Sequence, residues 1–184
     1  RVYSAFQYTD PSIDDQVARA QRDGCDELIA LPGYPLCGHS TTVLALRDVR
    51  RAVEELGWEV DLHEISGWHL HPDFLPMWAD HIRGYLGQHG IELHADRTEL
   101  VFSIHGTPIK YLEEGNRYDR YTNEACAAVA GLLGAETYYM GYQNHANRGI
   151  EWTMPDIYDV VRELGASSTR VVVWCRGAQA DVRA

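Results

Sequence analysis

The chain has 184 residues, of which 45% are hydrophobic and 23% charged, as in an ordinary globular domain that can bury its own core. Its 16 Lys and Arg side chains are outnumbered by 27 Asp and Glu, and the net charge of −11 argues against a general nucleic-acid-binding protein. No apolar run approaches the roughly 18 residues of a membrane-spanning helix, and the four scattered cysteines form no C-x-x-C pair. We therefore expect a cytoplasmic protein with free thiols and no transmembrane segment.

Strand and helix patterns alternate along the whole chain. In chain order they predict a strand at residues 2–8, a helix at 12–23, a strand at 27–31, a loop at 32–40, a helix at 41–56, a strand at 58–65, a helix at 72–90, a strand at 99–104, a helix at 121–133, a strand at 137–142, a helix at 154–164 and a strand at 170–174. The first helix has the clearest start, because Ser12 and Asp15 form a capping box. The alternation predicts an α/β fold whose mostly parallel sheet has helices on both faces.

The loops that follow the predicted strands are rich in His, aromatic, Gly and Pro residues, whereas helix faces elsewhere are rich in Asp, Glu and Arg. In parallel α/β folds, ligands bind beyond the carboxyl ends of the strands. The contrast in composition therefore indicates one functional edge.

The most informative segment is residues 100–108, in which a buried strand ends at His105 and a Gly-x-Pro turn leads the chain away. The turn leaves the imidazole at the edge of the sheet. Its ordinary pKa of about 6.5 suits proton transfer or metal ligation. The alternative is a histidine whose ring is merely hydrogen-bonded to a loop carbonyl.

Two further loops carry polar groups. The loop after the second predicted strand holds Tyr34, Ser40 and Thr41, whose hydroxyls could line a pocket or simply cap the next helix. The loop at residues 142–152 is rich in amides and ends at Trp152, so it is either a surface loop or packs against a flat ligand or the core. Neither a G-x-G-x-x-G motif nor a P-loop occurs, so we expect no nucleotide cofactor.

A histidine pair precedes the third predicted helix. His69 and His71 stand two residues apart in an extended loop, a spacing that could chelate a metal ion. More often, such a pair is exposed to solvent or one histidine only precedes a helix. Both interpretations stay open from the sequence.

Together these segments resemble the ferrochelatase family. The motifs that carry the resemblance are Phe6-x-Tyr8-x-x-Pro11, Asp23-Gly24, Leu31-Pro32-x-Tyr34-Pro35, Ser40-Thr41-Thr42, His71-Pro72, Phe102-Ser103-x-His105-Gly106-x-Pro108, Gly115-x-x-Tyr118, Tyr142-Gln143 and Trp152-x-x-Pro155. Their order and spacing hold over residues 2–165, which is nearly the whole chain. The Phe-Ser-x-His-Gly-x-Pro element is quite specific in combination with Tyr-Pro and Ser-Thr-Thr.

The resemblance implies a type II chelatase fold, in which a porphyrin cleft lies between two Rossmann-like halves. It also implies insertion of ferrous iron, as substrate metal, into protoporphyrin or coproporphyrin in haem biosynthesis. His105 falls on the family's active-site histidine, as base or metal ligand, because two pyrrole protons must leave as the metal enters. The substrate-binding residues implied are Tyr34, Ser40, Thr41, Tyr118, Gln143 and Trp152.

Several family features are missing from the sequence. The family's first half is not seen before Arg1, so we expect residues upstream, and Gln7 stands where the family usually has arginine. The final strand leads to no glutamate of the kind that faces the histidine in the family, since Asp181 is too isolated. Only Cys175 lies near the C-terminus, so an iron–sulfur cluster is not supported.

These departures define the remaining expectations. Residues 1–184 would form one ferrochelatase-like α/β domain, the second half of a two-domain fold. Half a cleft would leave an apolar edge that upstream residues or a homodimer cover. Two alternatives to iron insertion stay open: a family member repurposed as a biosynthetic enzyme acting on a smaller non-porphyrin molecule, and a non-catalytic tetrapyrrole-binding module.

Overall fold

A computed structural model describes residues 1–93, 95, 98–145, 149–167 and 170–175. The chain divides into two compact units, unit 1 at Arg1–Trp68 and unit 2 at His69–Ala184. The expectation that residues 1–184 form one α/β domain stays a prediction. None of the described helices is both long and apolar enough to cross a membrane.

Unit 1 contains two helices and a two-stranded parallel sheet. Its elements are α1 (Ile13–Arg22), β1 (Glu27–Ala30), a π-helical turn (His39–Val43) that runs into α2 (Leu44–Glu55), and β2 (Asp61–Glu64). Leu28 of β1 lies opposite Leu62 of β2. The two helices pack against each other, and Arg51 of α2 forms a salt bridge with Asp14 of α1 at 2.8 Å.

The start of α1 confirms Ser12 as the N-cap of the predicted capping box. The Asp15 backbone N–H donates to Ser12 Oγ at 3.1 Å, and the Ser12 hydroxyl donates to Asp15 Oδ2 at 2.7 Å. One of the unpaired N–H groups of the first helical turn is thereby satisfied locally.

The predicted strand at residues 2–8 is wrong. Phe6 makes only an isolated bridge with Ser12, and its N–H donates to the Pro11 carbonyl at 2.9 Å. The segment therefore folds back on itself, and its backbone bonds go to a near neighbour in sequence instead of to β1. The strand predicted at 58–65 also begins later, because the Trp58 N–H still donates to the Val53 carbonyl at the end of α2.

Unit 2 contains a three-stranded parallel sheet in the order β4-β3-β5. Its elements are α3 (Phe74–Gln88), β3 (Thr98–His105), α4 (Ile109–Glu113), α5 (Tyr118–Leu133), β4 (Tyr139–Gln143), α6 (Ile157–Ser167) and β5 (Arg170–Cys175). The short helix α4 has no counterpart among the predicted elements. The helix predicted from 154 begins later, because the Asp156 carboxylate accepts the Tyr158 N–H at 2.9 Å and fixes the start of α6 beside it.

Helices cover both faces of this sheet, as predicted. On one face, Phe102 of β3 packs edge-to-face on Trp78 of α3, with ring centroids 5.8 Å apart. On the other face, Val101 packs with Ile157 and Leu164 of α6. The parallel α/β class is confirmed, but in the described residues the strands form two sheets rather than one, since β1 pairs only with β2.

Candidate functional site

His105 is the last residue of β3 and lies at the carboxyl edge of the sheet. The five residues before it are fully buried, whereas His105 itself is exposed. Because side chains alternate along a strand, its imidazole is on the same side of the sheet as Ser103. The strand therefore presents this ring on a rigid rim, as the sequence predicted.

A backbone clamp fixes the turn after His105. We use this name for residues 106–109 and 151–153 together. The Thr153 N–H donates to the Thr107 carbonyl at 3.0 Å, and the Thr107 N–H donates to Thr153 Oγ1 at 3.1 Å. The Ile109 N–H donates to the Glu151 carbonyl at 3.0 Å. The end of the amide-rich loop is thus bound directly to the turn.

Gly106 allows the clamp to close against β4. Its N–H donates to the Gln143 carbonyl at 2.9 Å. A Cβ at this position would overlap the side-chain oxygen of Asn144 and would lie 3.1 Å from the Gln143 carbonyl oxygen. The close approach of the two chains therefore requires glycine.

Three flat rings form a row at this rim. The ring centroids of His105 and His145 lie 5.3 Å apart, and those of His145 and Trp152 lie 5.1 Å apart. Among the described residues, the buried Trp152 indole N–H has no hydrogen-bond partner. His145 is not among the site residues predicted from the sequence. Its loop follows β4, however, and ligands bind beyond the carboxyl ends of parallel strands.

The surroundings lower the pKa of His105 below its ordinary value. Partial burial is the larger cause, because it disfavours the charged imidazolium, and the neighbouring His145 adds to the effect. His105 is therefore neutral at neutral pH. A neutral imidazole has a free nitrogen lone pair that can accept a proton or bind a metal ion.

Gln143 and Trp152 also reach this rim. Gln143 lies opposite His105 in the sheet register, and its Nε2 donates to Ser103 Oγ at 2.8 Å. Trp152 belongs to the clamp. Tyr118 begins α5, where its N–H donates to Asn116 Oδ1 at 3.0 Å. The structure thus brings Gln143 and Trp152 to the His105 rim, while the substrate-binding roles of all three stay predictions.

The other predicted site residues belong to unit 1, in the loop after β1 and the helical turn that follows. The Thr41 hydroxyl donates to the Gly38 carbonyl at 3.3 Å, which is a local bond near the start of a helix. Ser40 and Tyr34 are exposed. Their assignment to the same site as His105 stays a prediction.

Unit 1 has an apolar cavity of ≈ 370 Å³. It lies between the N-terminal segment, both helices and β1, and Tyr34 is at its edge. Gln7, the residue that replaces the family's usual arginine, also lines it, and Gln7 Oε1 is buried with no hydrogen-bond partner in the described part of the chain. The cavity wall otherwise consists mostly of aliphatic side chains.

His69 and His71 have different partners. His69 is buried, with its Nε2 3.2 Å from Glu124 Oε2, whereas His71 is exposed and accepts the Asp73 N–H at Nδ1. Arg120 and, to a smaller extent, His69 lower the pKa of the Glu124 carboxyl. In the described part of the chain, no group of three or more His, Cys, Asp or Glu side chains could hold a metal ion. The surroundings favour a structural role for this pair.

The C-terminal end of the chain, residues 176–184, lies outside the described residues. Asp181 belongs to this end, so the absence of the family's glutamate stays a prediction from the sequence. Cys175 is the last residue of β5.

Comparisons with known proteins point in one direction. A family model described as "Ferrochelatase" matches residues 1–182. The coproporphyrin III ferrochelatase of Bacillus mycoides (strain KBAB4) is 31% identical over 166 residues, which are 89% of this chain and 52% of that protein. The chain thus spans about half the length of this curated relative.

Proposed function

The chain belongs to the ferrochelatase family, and from this premise we propose that it inserts ferrous iron into a porphyrin, with His105 as the catalytic residue. The observation that carries the proposal is the position of His105 at the exposed end of a strand whose five preceding residues are buried, where partial burial lowers the pKa of the imidazole. The relative from Bacillus mycoides is named for coproporphyrin III, which is therefore the first substrate to test.

The chemistry explains why such a group is needed. As a divalent ion enters the four-nitrogen core, two pyrrole N–H protons leave, so the charge of the product core is balanced. A neutral histidine accepts one of these protons at its free ring nitrogen while the other passes to water. Alternatively, it holds the incoming ion at the same atom and both protons pass to water. Position matters as much as basicity, since a misplaced base contributes little to the rate.

The residues around His105 would keep its ring in place. The clamp and the Gly106 contact hold the turn, and the bond between Gln143 and Ser103 links β4 to β3 beside the rim. We assign Gln143 and Trp152 to positioning the site. Tyr34, Ser40, Thr41 and Tyr118 carry the substrate-lining roles that the family resemblance implies.

The test is anaerobic incubation of the full chain with Fe²⁺ and coproporphyrin III or protoporphyrin, followed by the Soret band. We expect His105→Ala to lower the insertion rate about a hundredfold or more, the range for loss of a general base. His89→Ala is the matched control, because His89 is an exposed histidine of the same unit at the end of α3. Insertion by His105→Ala at the wild-type rate would overturn the role of His105.

A second candidate is tetrapyrrole binding without metal insertion. Porphyrin binding without a change to the metalloporphyrin spectrum would support it. Absence of any porphyrin binding would instead favour a smaller substrate, the alternative that Gln7 suggests.

A further inference from the structure

The rim of unit 2 holds a second imidazole that no family motif in the sequence marked. β3 ends at His105, its register partner Gln143 ends β4, and His145 follows two residues later. Adjacent parallel strands thus deliver two histidines to the same edge of the sheet. Their ring centroids lie 5.3 Å apart, with an interplanar angle of 71°.

This spacing occurs both in edge-to-face packing of two rings and between two ligands of a single ion. Imidazoles bound to a tetrahedral ion at nitrogen–metal distances of about 2.0–2.1 Å have ring centroids about 5 Å apart, and on an octahedral ion about 4.5 Å apart. The observed separation fits the tetrahedral case.

The position of His145 is fixed by its neighbours. The preceding residue, Asn144, donates from Nδ2 to the Thr153 carbonyl at 2.8 Å and toward Asp156 Oδ2 at 3.4 Å. On its other side, the His145 ring packs on Trp152. A ligand held in this way loses little conformational freedom when it binds an ion.

The pair is also suited to releasing its ion. In the described residues, no third His, Cys, Asp or Glu joins these two in a group that could hold a metal, so water or substrate would complete the coordination. Two protein ligands bind a borderline ion such as Fe²⁺, Co²⁺ or Zn²⁺ less tightly than the four of a structural site. A metal that must move on into another ligand needs such an incomplete site.

We propose that His105 and His145 together bind one divalent transition-metal ion at the rim of unit 2 and hold it for transfer. The role of the pair in delivering the metal rests on the proposed function. Metal binding by the two rings does not, because it requires no porphyrin. His145 is thereby a metal-binding residue in addition to His105.

The test uses the full chain and Co²⁺ without porphyrin, followed by calorimetry and by the visible absorption bands that intensify in tetrahedral coordination. We expect one site in the wild type, and binding weakened roughly tenfold or more in both His105→Gln and His145→Gln. His89→Gln should bind as the wild type does. Circular dichroism and urea unfolding check that the variants fold.

The outcomes separate this inference from the proposed function. Unchanged Co²⁺ binding by His145→Gln, or no binding by the wild type, overturns the paired site even if iron is inserted into coproporphyrin III. Binding that needs both histidines supports the site even if the wild type inserts no iron, in which case the proposed function fails alone.

Discussion

β1 of unit 1 and β3 of unit 2 have similar apolar sequences but different surroundings. In β3, residues 100–104 are at most 2% exposed, because the strand has a partner on each side and helices on both faces. In unit 1, Ile29 of β1 is 58% exposed and Leu31, just after it, is 61% exposed. An apolar run thus predicts a strand, whereas the number of layers around the strand decides what it buries.

The difference bears on where chemistry can be placed. A side chain at the end of β3 stands on a packed element and is held to within a small range of positions. The exposed apolar residues of unit 1, next to its cavity, instead form the type of surface that associates with another polypeptide. The expectation of an uncovered apolar edge, and of a homodimer or further chain that covers it, stays a prediction.

The largest expected effect compares core truncations in the two strands. Phe102→Ala should lower the free energy of unfolding by about 3–5 kcal/mol, since it leaves a cavity between β3 and α3. Ile29→Ala should cost less than about 1 kcal/mol, because the side chain is already exposed. Urea unfolding of the full chain measures both. Equal losses of unfolding free energy would contradict the difference in burial between β3 and β1.

A smaller effect is expected at the rim of unit 2. Gly106→Ala should destabilise the chain by about 1–3 kcal/mol, because the new methyl group meets Asn144 and the Gln143 backbone. Gly84→Ala in α3 is the control. A Cβ there meets nothing, so we expect stabilisation by about 0.5–1 kcal/mol. If Gly106→Ala raises the urea midpoint as Gly84→Ala does, the close approach at Gly106 does not matter for stability.

In unit 1, local hydrogen bonds should contribute more to the free energy of unfolding than packing does. Ser12→Ala removes the cap of α1 and should cost about 1 kcal/mol. Ser4→Ala, in the exposed N-terminal segment, should leave the urea midpoint within error. A cap effect near zero would mean that α1 is held by its packing on α2, and unit 1 would then resemble unit 2 more closely than we infer.

The smallest effect concerns pH. His105 has a lowered pKa in the folded chain, so the unfolded chain binds its proton first as the pH falls below about 6.5. Stability should therefore decline from that pH down to the folded-state pKa, and stay flat above it as far as His105 is concerned. His105→Gln should remove this slope in urea unfolding at several pH values. An NMR titration that places His105 at or above its ordinary pKa would contradict the prediction.

The sequence predicted what local patterns determine. The capping box of α1, the strand that ends at His105 and the helices over both faces of β3 all follow from residue spacing. Prediction failed where the structure of a segment depends on contacts outside that segment. Residues 2–8 have a strand-like composition, yet their bonds go to Pro11. His145 has no local signal, and its proximity to His105 arises only from the pairing of β3 with β4.

The clamp has a kinetic consequence. The amide protons of Gly106, Thr107, Ile109 and Thr153 are all engaged between segments more than 30 residues apart in sequence. The partner of Gly106 is Gln143 of β4, and the other three are bonded between the two segments of the clamp. Such protons exchange with deuterium from the solvent only when these bonds open. Their exchange rates therefore report how often the hydrogen bonds around the turn after His105 open, in a chain to which neither metal nor porphyrin has been added.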